Sequence, residues 1–203
     1  MKRNTLRSRL NPLSRRPARS ANRRSSFSQR RLSVESLEQR TLLAVLTVDT
    51  AADVVKDGDG ELSLREAVLI ANDSTGTISY EGVSSTDVAD TIEFNIGDGA
   101  QTIALSGTGL SIHEAVTIDG PTDDDFNPLI MIDAAALPLS VAAIRVTTGG
   151  GGSTLRGLQI STPSYGVDIN ASSDNVVEHC DIQNAGWSAI VMRGASGNNV
   201  IQE

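Results

Sequence analysis

The sequence predicts an all-β protein, a right-handed parallel β-helix (a solenoid) with a short N-terminal capping helix and a disordered basic leader. Three observations predict this fold: a composition poor in aromatic residues, short runs of alternating apolar and polar residues, and an internal repeat of 22–24 residues. We expect the chain to divide into a leader at 1–45, a cap region at 46–90 and coils at 91–203.

The composition indicates a core built from aliphatic side chains. Only 3% of the 203 residues are aromatic, so Val, Ile, Leu and Ala must supply most of the buried apolar surface. β-branched side chains pack well on a pleated strand surface. The 18 glycines, together with many Asn, Asp, Ser and Thr residues, supply turns. Many short strands separated by turns are therefore expected.

The charge distribution separates a basic leader from an acidic body. Residues 1–40 contain 12 Lys and Arg against 2 Asp and Glu, whereas residues 41–203 contain 5 against 23. The leader has too few apolar residues to order itself. The body is too acidic to bind nucleic acid, because it would repel phosphates. No run approaches the roughly 20 apolar residues of a membrane span.

The end of the leader carries a motif at residues 33–44, SVESLEQRTLLA. It resembles the LEPR-xLL leader of planctomycete-type surface proteins, with Gln39 where that family usually has Pro. The resemblance implies export, and therefore an extracellular or cell-surface location. An amphipathic helix start without a targeting role is the alternative interpretation.

The cap region contains a strand at 46–50 and then a helix start. Ser63 is a suitable N-cap and Glu66 completes a capping box, which predicts a helix over 64–71. The segment from Asp53 to Asn72 resembles the CSLREA motif found at the N-terminal edge of exported bacterial β-helix proteins, with Leu62 in place of the Cys of that motif. The resemblance implies that this region caps a stack of coils.

The same segment has the spacing of a calcium-binding loop. Asp57, Asp59 and Glu66 occupy the third, fifth and twelfth positions of an EF-hand pattern that begins at Val55. Val55 cannot ligate a cation, so a turn followed by a capping box is the preferred interpretation. A weak Ca²⁺ site at these three residues is the alternative, and no other cofactor is predicted.

The coil region is a series of short apolar strands. Each alternates with a period of two and is separated from the next by Gly, Pro, Asp or Ser. The predicted strands before the repeat lie at 91–94, 102–105, 110–112, 116–120, 129–132 and 143–146.

An internal repeat follows these strands. Residues 153–160 align with 175–182 at an offset of 22, and 175–178 align with 199–202 at an offset of 24. One coil of a parallel β-helix has this length, and like residues stack between coils. The predicted interior rows are Leu155/Val177/Ile201, Leu158/Cys180 and Ile160/Ile182. Taken together with the CSLREA-like segment, residues 46–203 resemble the pectate-lyase-like right-handed β-helix superfamily. Cys180 is expected to be a small core residue.

The last residues, 199–203, begin a new coil by this repeat. An uncovered coil exposes strand edges and an apolar cross-section. The sequence therefore predicts either that the protein continues beyond this chain or that the open end pairs with another copy.

Polar residues next to the interior rows are the candidate site residues. They alternate with apolar neighbours and are expected to face outward, where they form either a glycan-facing surface or a solvated one. The candidate glycan-facing residues are Arg156, Gln159, Asp168, Asp181 and Arg193. Asp174 and Glu178 are further carboxylates of this region. No family-specific catalytic motif is present, so no catalytic residue is assigned.

Three functions are compatible with these features. The first is a secreted or surface protein with a structural, adhesive or glycan-binding role, whose partners are extracellular polysaccharide or other envelope proteins. The second is a polysaccharide lyase or glycoside hydrolase, which rests on fold analogy alone. The third is a Ca²⁺-dependent structural module. The missing catalytic motif favours the first over the second.

Overall fold

The computed structural model describes residues 44–85 and 89–203. The leader expected over 1–45 lies outside this part of the chain except for its last two residues. The helix and strands, in chain order, are β1 Val45–Val48, α1 Leu64–Ala71, β2 Ala89–Phe94, β3 Gln101–Ala104, β4 Leu110–Ile112, β5 Ala115–Asp119, β6 Ile130–Asp133, β7 Ala142–Val146, β8 Thr154–Arg156, β9 Leu158–Ser161, β10 Tyr165–Asn170, β11 Val176–Glu178, β12 Asp181–Gln183, β13 Ser188–Arg193 and β14 Val200–Gln202.

The named strands form three sheets, and every pairing between them is parallel. Sheet I has the order β1-β2-β5-β8-β11-β14, sheet II has β4-β7-β10-β13, and sheet III has β3-β6-β9-β12. Each complete coil contributes one strand to each sheet, and β1 and β14 extend sheet I at its two edges, so the described residues wind as a solenoid of about four turns. The predicted right-handed parallel β-helix is confirmed.

The strand register confirms the sequence repeat. Val177 pairs with Leu155 in the coil before it and with Ile201 in the coil after it, and Ile182 pairs with Ile160. Leu155, Leu158 and Ile160 are almost completely buried. Burial of each such side chain contributes about 1.5–3 kcal/mol, so stacked aliphatic rows stabilise the solenoid without aromatic residues.

Cys180 and Ile182 also pack against this core, but both are only partly buried. The Cys180 thiol donates a hydrogen bond to the Leu155 carbonyl at 3.6 Å. Burial raises the pKa of this thiol above its ordinary value, which keeps it protonated at neutral pH. Cys180 therefore packs against the buried core, although it is less buried than the core residue that the sequence predicts.

A short polar ladder joins the turns that precede β8, β11 and β14. The Asn175 side chain donates to Asn199 Oδ1 at 2.8 Å and accepts from the Ser153 backbone N–H at 3.1 Å. Asn175 is 2% exposed, so these bonds satisfy a buried amide that would otherwise destabilise the turn. They also fix the register between consecutive coils.

Helix α1 begins and ends where its capping signals predict. The Ser63 hydroxyl accepts from Glu66 N–H, and a Glu66 oxygen accepts from Ser63 N–H, which completes the capping box. The helix packs against β1, β2 and β4. Beyond its end, Asn72 donates to the Ser111 carbonyl and accepts from His113 N–H, both at 2.7 Å. The helix is thereby tied to the first complete coil, as expected of a cap.

Candidate functional site

The five predicted glycan-facing residues lie on three different faces of the solenoid. Arg156 is on sheet I, Gln159 and Asp181 are on sheet III, and Asp168 and Arg193 are on sheet II. The structure brings together Gln159 with Asp181, at 3.1 Å, and Asp168 with Arg193. They therefore belong to three separate surfaces.

Asp168 differs from the expected exposed position. Its side chain alternates with Val167 and Ile169 and points away from the apolar interior, yet it is 0% exposed. Arg145 and Arg193 lie against the carboxylate and cover it. Alternation along a strand predicts which face a side chain is on, but not whether long neighbouring side chains cover that face.

A groove runs across sheet I at the carboxyl ends of its strands. Glu93, Asp119, Arg156 and Glu178 pair in register there, and each follows an inward-facing apolar residue. Two hollows of about 220 and 290 Å³ open along this row. The first is lined by Glu93, Phe94, Asp119, Gly120 and Pro121, and the second by Asp119, Gly120, Thr122, Phe126, Arg156, Gly157 and His179. Because they share Asp119 and Gly120, we call them together the sheet I groove.

The groove is shaped by two glycines in consecutive coils. A Cβ atom on Gly120 would lie 2.1 Å from the Gly157 carbonyl oxygen, and one on Gly157 would lie 2.2 Å from the Gly120 oxygen. Gly157 also has a φ of +63°, where the chain turns out of sheet I. Since neither position has room for a side chain, the backbones approach closely and this part of the groove is bare backbone.

An arginine–carboxylate pair forms one side of the groove. Arg156 Nε donates to Asp119 Oδ1 at 2.6 Å, and Arg156 Nη2 donates to Asp119 Oδ2. The hydrogen bonds that Arg156 donates to the Asp119 carboxylate raise the pKa of Arg156 above its ordinary value. The Arg156 side chain is 46% exposed, and pairs of this kind contribute at most about 1 kcal/mol to stability. The pair therefore serves mainly to hold both groups in one orientation.

Phe126 also lines the second hollow. It is 74% exposed and has a φ of +64°, a conformation that costs a residue other than glycine about 1–2 kcal/mol. Asp123 holds the loop in place by accepting hydrogen bonds from Asn127 N–H at 2.8 Å and from Asp125 N–H at 2.9 Å. The pKa of Asp123 lies below its ordinary value, chiefly because Asn127 donates to it through both side chain and backbone. A fixed loop thus presents an aromatic ring to solvent beside the groove.

His179 completes this side of the site. It occupies the corner after β11 with a φ of +49°, the position that Gly157 occupies in the preceding coil. Its ring is exposed and lines the second hollow. The site therefore combines an aromatic ring, an imidazole, carboxylates and a guanidinium along a strip of bare backbone.

The residues of the suggested Ca²⁺ site bond mainly to the backbone. Both Glu66 oxygens accept backbone hydrogen bonds, from Lys56 N–H at 2.5 Å and from Ser63 N–H at 2.9 Å. Asp57 accepts from Glu81 N–H at 3.0 Å, and Asp59 forms an ion pair with Lys56 at 3.6 Å. Among residues 44–85 and 89–203, no group of three or more His, Cys, Asp or Glu side chains is placed to hold a metal ion.

Comparison of the chain with protein-family models, curated proteins and solved structures finds no match. The resemblances to the CSLREA motif and to the LEPR-xLL leader therefore rest on the residues alone. Within the part of the chain that the structure describes, no helix is long and apolar enough to cross a membrane.

Proposed function

We propose that this protein is an exported β-helix protein of the cell surface that binds a glycan in the sheet I groove without cleaving it. The observation that carries the proposal is that an exposed Phe126 on a hydrogen-bonded loop, the fixed Arg156–Asp119 pair and a strip of bare glycine backbone all line the same hollow. The acidic body and the leader motif support a location outside the cytoplasm.

The groove matches the chemistry of a sugar ring. A pyranose has an apolar face of C–H groups, which packs on an aromatic ring, and a rim of hydroxyl groups. Carboxylates accept hydrogen bonds from hydroxyls, and a guanidinium donates to them. Hollows on both sides of Asp119 give room for more than one sugar unit along the solenoid axis. The groove thus fits a short stretch of polysaccharide.

The charge of the groove favours a neutral glycan. Glu93, Asp119 and Glu178 supply three carboxylates along the row, whereas Arg156 is its one guanidinium. A carboxylated sugar placed there would meet like charges, which disfavour its binding.

The arrangement of Asp119 favours binding over catalysis. Both of its oxygens are held by Arg156, so the carboxylate is occupied as a fixed acceptor. A glycosidase needs one carboxyl group to deliver a proton and a second to act as base or nucleophile. Polysaccharide cleavage remains the second candidate, favoured only by the presence of Glu93 and Glu178 in the same row.

The first prediction tests this assignment with Phe126→Ala in the full chain. We expect binding of neutral oligosaccharides to weaken by about tenfold, because a stacked ring contributes about 1–1.5 kcal/mol. Leu139→Ala is the matched control, since Leu139 is also a large apolar residue, 63% exposed, outside the groove. The measurement is calorimetric titration with a panel of neutral oligosaccharides, followed by chromatography of the products.

Two results of this experiment would contradict the proposal. Binding that survives Phe126→Ala unchanged would place the ligand elsewhere, and shortened oligosaccharides would establish an enzyme. The location is tested separately by labelling intact host cells with an antibody to the full chain. Antigen found only after the cells are lysed would exclude surface display.

A further inference from the structure

A cationic and aromatic surface lies on sheet II, away from the sheet I groove. Its members come from three consecutive coils and are Arg145 on β7, Tyr165 and Asp168 on β10, Trp187 just before β13, and Arg193 on β13. We call these five residues the sheet II cluster. The rest of the body is acidic, since residues 41–203 contain 5 Lys and Arg against 23 Asp and Glu.

Asp168 fixes the two arginines of the cluster. Arg193 donates to its two oxygens from Nε and Nη2, at 3.0 and 2.8 Å, and Arg145 donates from Nε at 2.8 Å. The carboxylate is completely buried under these side chains, which are themselves about two-fifths exposed. One negative charge faces two positive ones, so a net positive charge remains at this surface.

Both guanidinium groups keep N–H donors that the cluster does not use. In bonds to the described residues, Arg145 uses only Nε, and Arg193 leaves Nη1. A guanidinium that is already held in one orientation by a buried carboxylate is well suited to binding a second carboxylate. The cluster can therefore bind an acidic partner without rearrangement.

Two aromatic rings stand beside these donors. The Arg193 guanidinium lies over the Tyr165 ring, 5.0 Å from its centroid, and Trp187 meets the same ring edge-on, with 5.2 Å between centroids and 82° between ring planes. Trp187 nevertheless remains 63% exposed. Trp, Tyr and Arg are the residues that contribute most to binding at protein–protein interfaces. The cluster therefore has the composition of a protein-binding surface.

The loop between β5 and β6 carries the complementary chemistry. We call its residues 121–128 the acidic loop. Asp124 and Asp125 are exposed and form no hydrogen bond or ion pair through their side chains with the described residues. They are followed directly by Phe126, which is 74% exposed. Two free carboxylates and an aromatic ring thus lie side by side at the tip of this loop.

The acidic loop and the sheet II cluster lie on different faces of the molecule. The loop joins sheet I to sheet III, whereas the cluster is on sheet II. Backbone hydrogen bonds from Asp123 N–H to the Asn127 carbonyl at 2.9 Å, and from Phe126 N–H to the Asp123 carbonyl at 3.0 Å, hold the loop in shape. A loop that is already ordered loses little conformational freedom when it binds to another molecule.

We propose that the acidic loop of one copy docks on the sheet II cluster of a second copy of this chain. The carboxylates of Asp124 and Asp125 accept hydrogen bonds from the free N–H groups of the two arginines, and Phe126 packs against Trp187. Opposite charges meet in this contact, whereas most other contacts between two acidic bodies bring like charges together. Because the two patches differ, the contact is heterologous, and its repetition forms a ring or an open row of copies.

The inference does not depend on glycan binding. Phe126 also lines the sheet I groove, so a neutral glycan and a second copy compete for the same ring. The experiment therefore changes Asp124, Asp125 and Arg145 and leaves Phe126 in place. Loss of self-association in these variants is then measured separately from loss of glycan binding.

Sedimentation velocity of the full chain over a range of concentrations tests the contact. We expect the parent to form species larger than a dimer, in a proportion that falls as salt is added. Arg145→Gln removes donors from the cluster, and the double variant D124N/D125N removes the charges of the loop. Each should weaken association by about tenfold or more. Asp98→Asn is the control, because Asp98 is exposed on a different loop, and it should associate like the parent.

A mixture of the two variants tests whether the contact is heterologous. The Arg145→Gln chain keeps an intact acidic loop, and the D124N/D125N chain keeps an intact sheet II cluster. An equimolar mixture should therefore form a pair that contains one chain of each kind, although neither variant associates alone. Since the pair has no further intact loop or cluster, growth should stop at two chains. Formation of the pair also shows that both variants are folded.

Trp187 reports the contact directly, because it is the only tryptophan of the chain. Quenching of its fluorescence by acrylamide should decrease as the concentration of the parent rises, since the loop of a second copy covers the indole. In the D124N/D125N chain, quenching should not change over the same range of concentrations.

Three results would overturn the inference. The first is a parent that stays monomeric at every concentration. The second is association of both variants as strong as that of the parent, which would mean that the basic leader or another face joins the copies. The third is a mixture of the variants in which both chains stay monomeric. None of these results bears on the binding of neutral oligosaccharides, so the proposed function is tested independently.

Discussion

At the scale of single residues, two glycines at the corner of sheet I determine whether the groove exists. Gly120 and Gly157 sit where consecutive coils approach closely, and a Cβ on each would clash with the carbonyl oxygen of the other. Any side chain there would push the coils apart and displace Asp119 and Arg156, which precede them directly. The shape of the site is therefore coupled to the packing of the coils.

The first stability prediction compares Gly157→Ala with Gly107→Ala. Both glycines have positive φ, +63° and +71°, but a Cβ on Gly107 meets nothing within 4 Å. Gly107→Ala should therefore lower the free energy of unfolding by about 1 kcal/mol, the cost of the left-handed conformation alone. Gly157→Ala adds a backbone clash and should cost roughly 2–4 kcal/mol. Urea titration of both variants measures the difference, and equal losses would show that the two coils are further apart than described.

At the scale of elements, helix α1 is determined by residues close to it in sequence. Ser63 and Glu66 satisfy each other's backbone N–H groups, and a buried Glu66 also holds Lys56 N–H. Arg65 then joins the helix to Asp53, with Nε–Oδ1 at 2.7 Å, and to the Thr108 carbonyl at 2.8 Å. The first turn of α1 thus fixes both the loop before the helix and the segment that leads into β4.

A further prediction concerns the pH dependence of the attachment between helix α1 and Asp53. Burial acts to raise the pKa of Asp53, but hydrogen bonds from Arg65 and Ser106 outweigh it and hold the pKa below its ordinary value. A carboxyl whose pKa is lower in the folded than in the unfolded chain stabilises the fold above its unfolded pKa, near 4. This stabilisation is lost as the pH falls through the folded pKa.

Thermal unfolding between pH 7 and pH 2 measures this effect. Asp53→Asn should lower the melting temperature at pH 7, and its difference from the parent should shrink below about pH 4. Asp98→Asn is the control, because Asp98 is exposed on the loop between β2 and β3. A difference that stays constant across the pH range would mean that the Asp53 charge does not stabilise the attachment.

The lengths of the coils explain where the groove lies. The outward row on sheet I advances by 26 residues from Glu93 to Asp119, by 37 to Arg156 and by 22 to Glu178. The long coil contains the extra loop that carries Phe126. Insertions in a regular solenoid often form its binding face, because they change a loop without disturbing the stacked strands.

At the scale of the whole molecule, the sequence predicts the solenoid because its interior is repetitive. Period-two alternation identifies the strands, and the 22-residue offset places Ile182 beside Ile160. The capping box likewise predicts α1 to the residue. The capping box is local and the strand pattern is periodic. Both can therefore be recognised without knowing which distant segments of the chain are in contact.

The sheet I groove, by contrast, depends on contacts between distant segments that no regular repeat predicts. Asp119 and Arg156 meet across 37 residues, beyond the 22–24-residue repeat, so no regular offset joins them. Phe126 lies in the irregular loop itself. The unequal length of the coils could have indicated the groove, but coil lengths can be compared only when the pairing register of the strands is known. On sheet II, Asp168 pairs in register with Val191, so the repeat does not predict its contact with Arg193, which lies two positions further along β13.

The last prediction follows from how a stack of coils distributes its stability. In a solenoid each coil is stabilised by its neighbours, so an inward residue contributes most where coils lie on both sides. Leu155 and Ile201 occupy the same inward row, on either side of Val177, but they are 1% and 45% exposed. Leu155→Ala should cost about 2–5 kcal/mol, whereas Ile201→Ala should cost about 1 kcal/mol or less. Chemical denaturation of both variants, repeated across protein concentrations, tests this difference. Similar losses that do not depend on concentration would show that stability is uniform along the stack, whereas a loss for Ile201→Ala that grows with concentration would show that copies of the chain pair through this end.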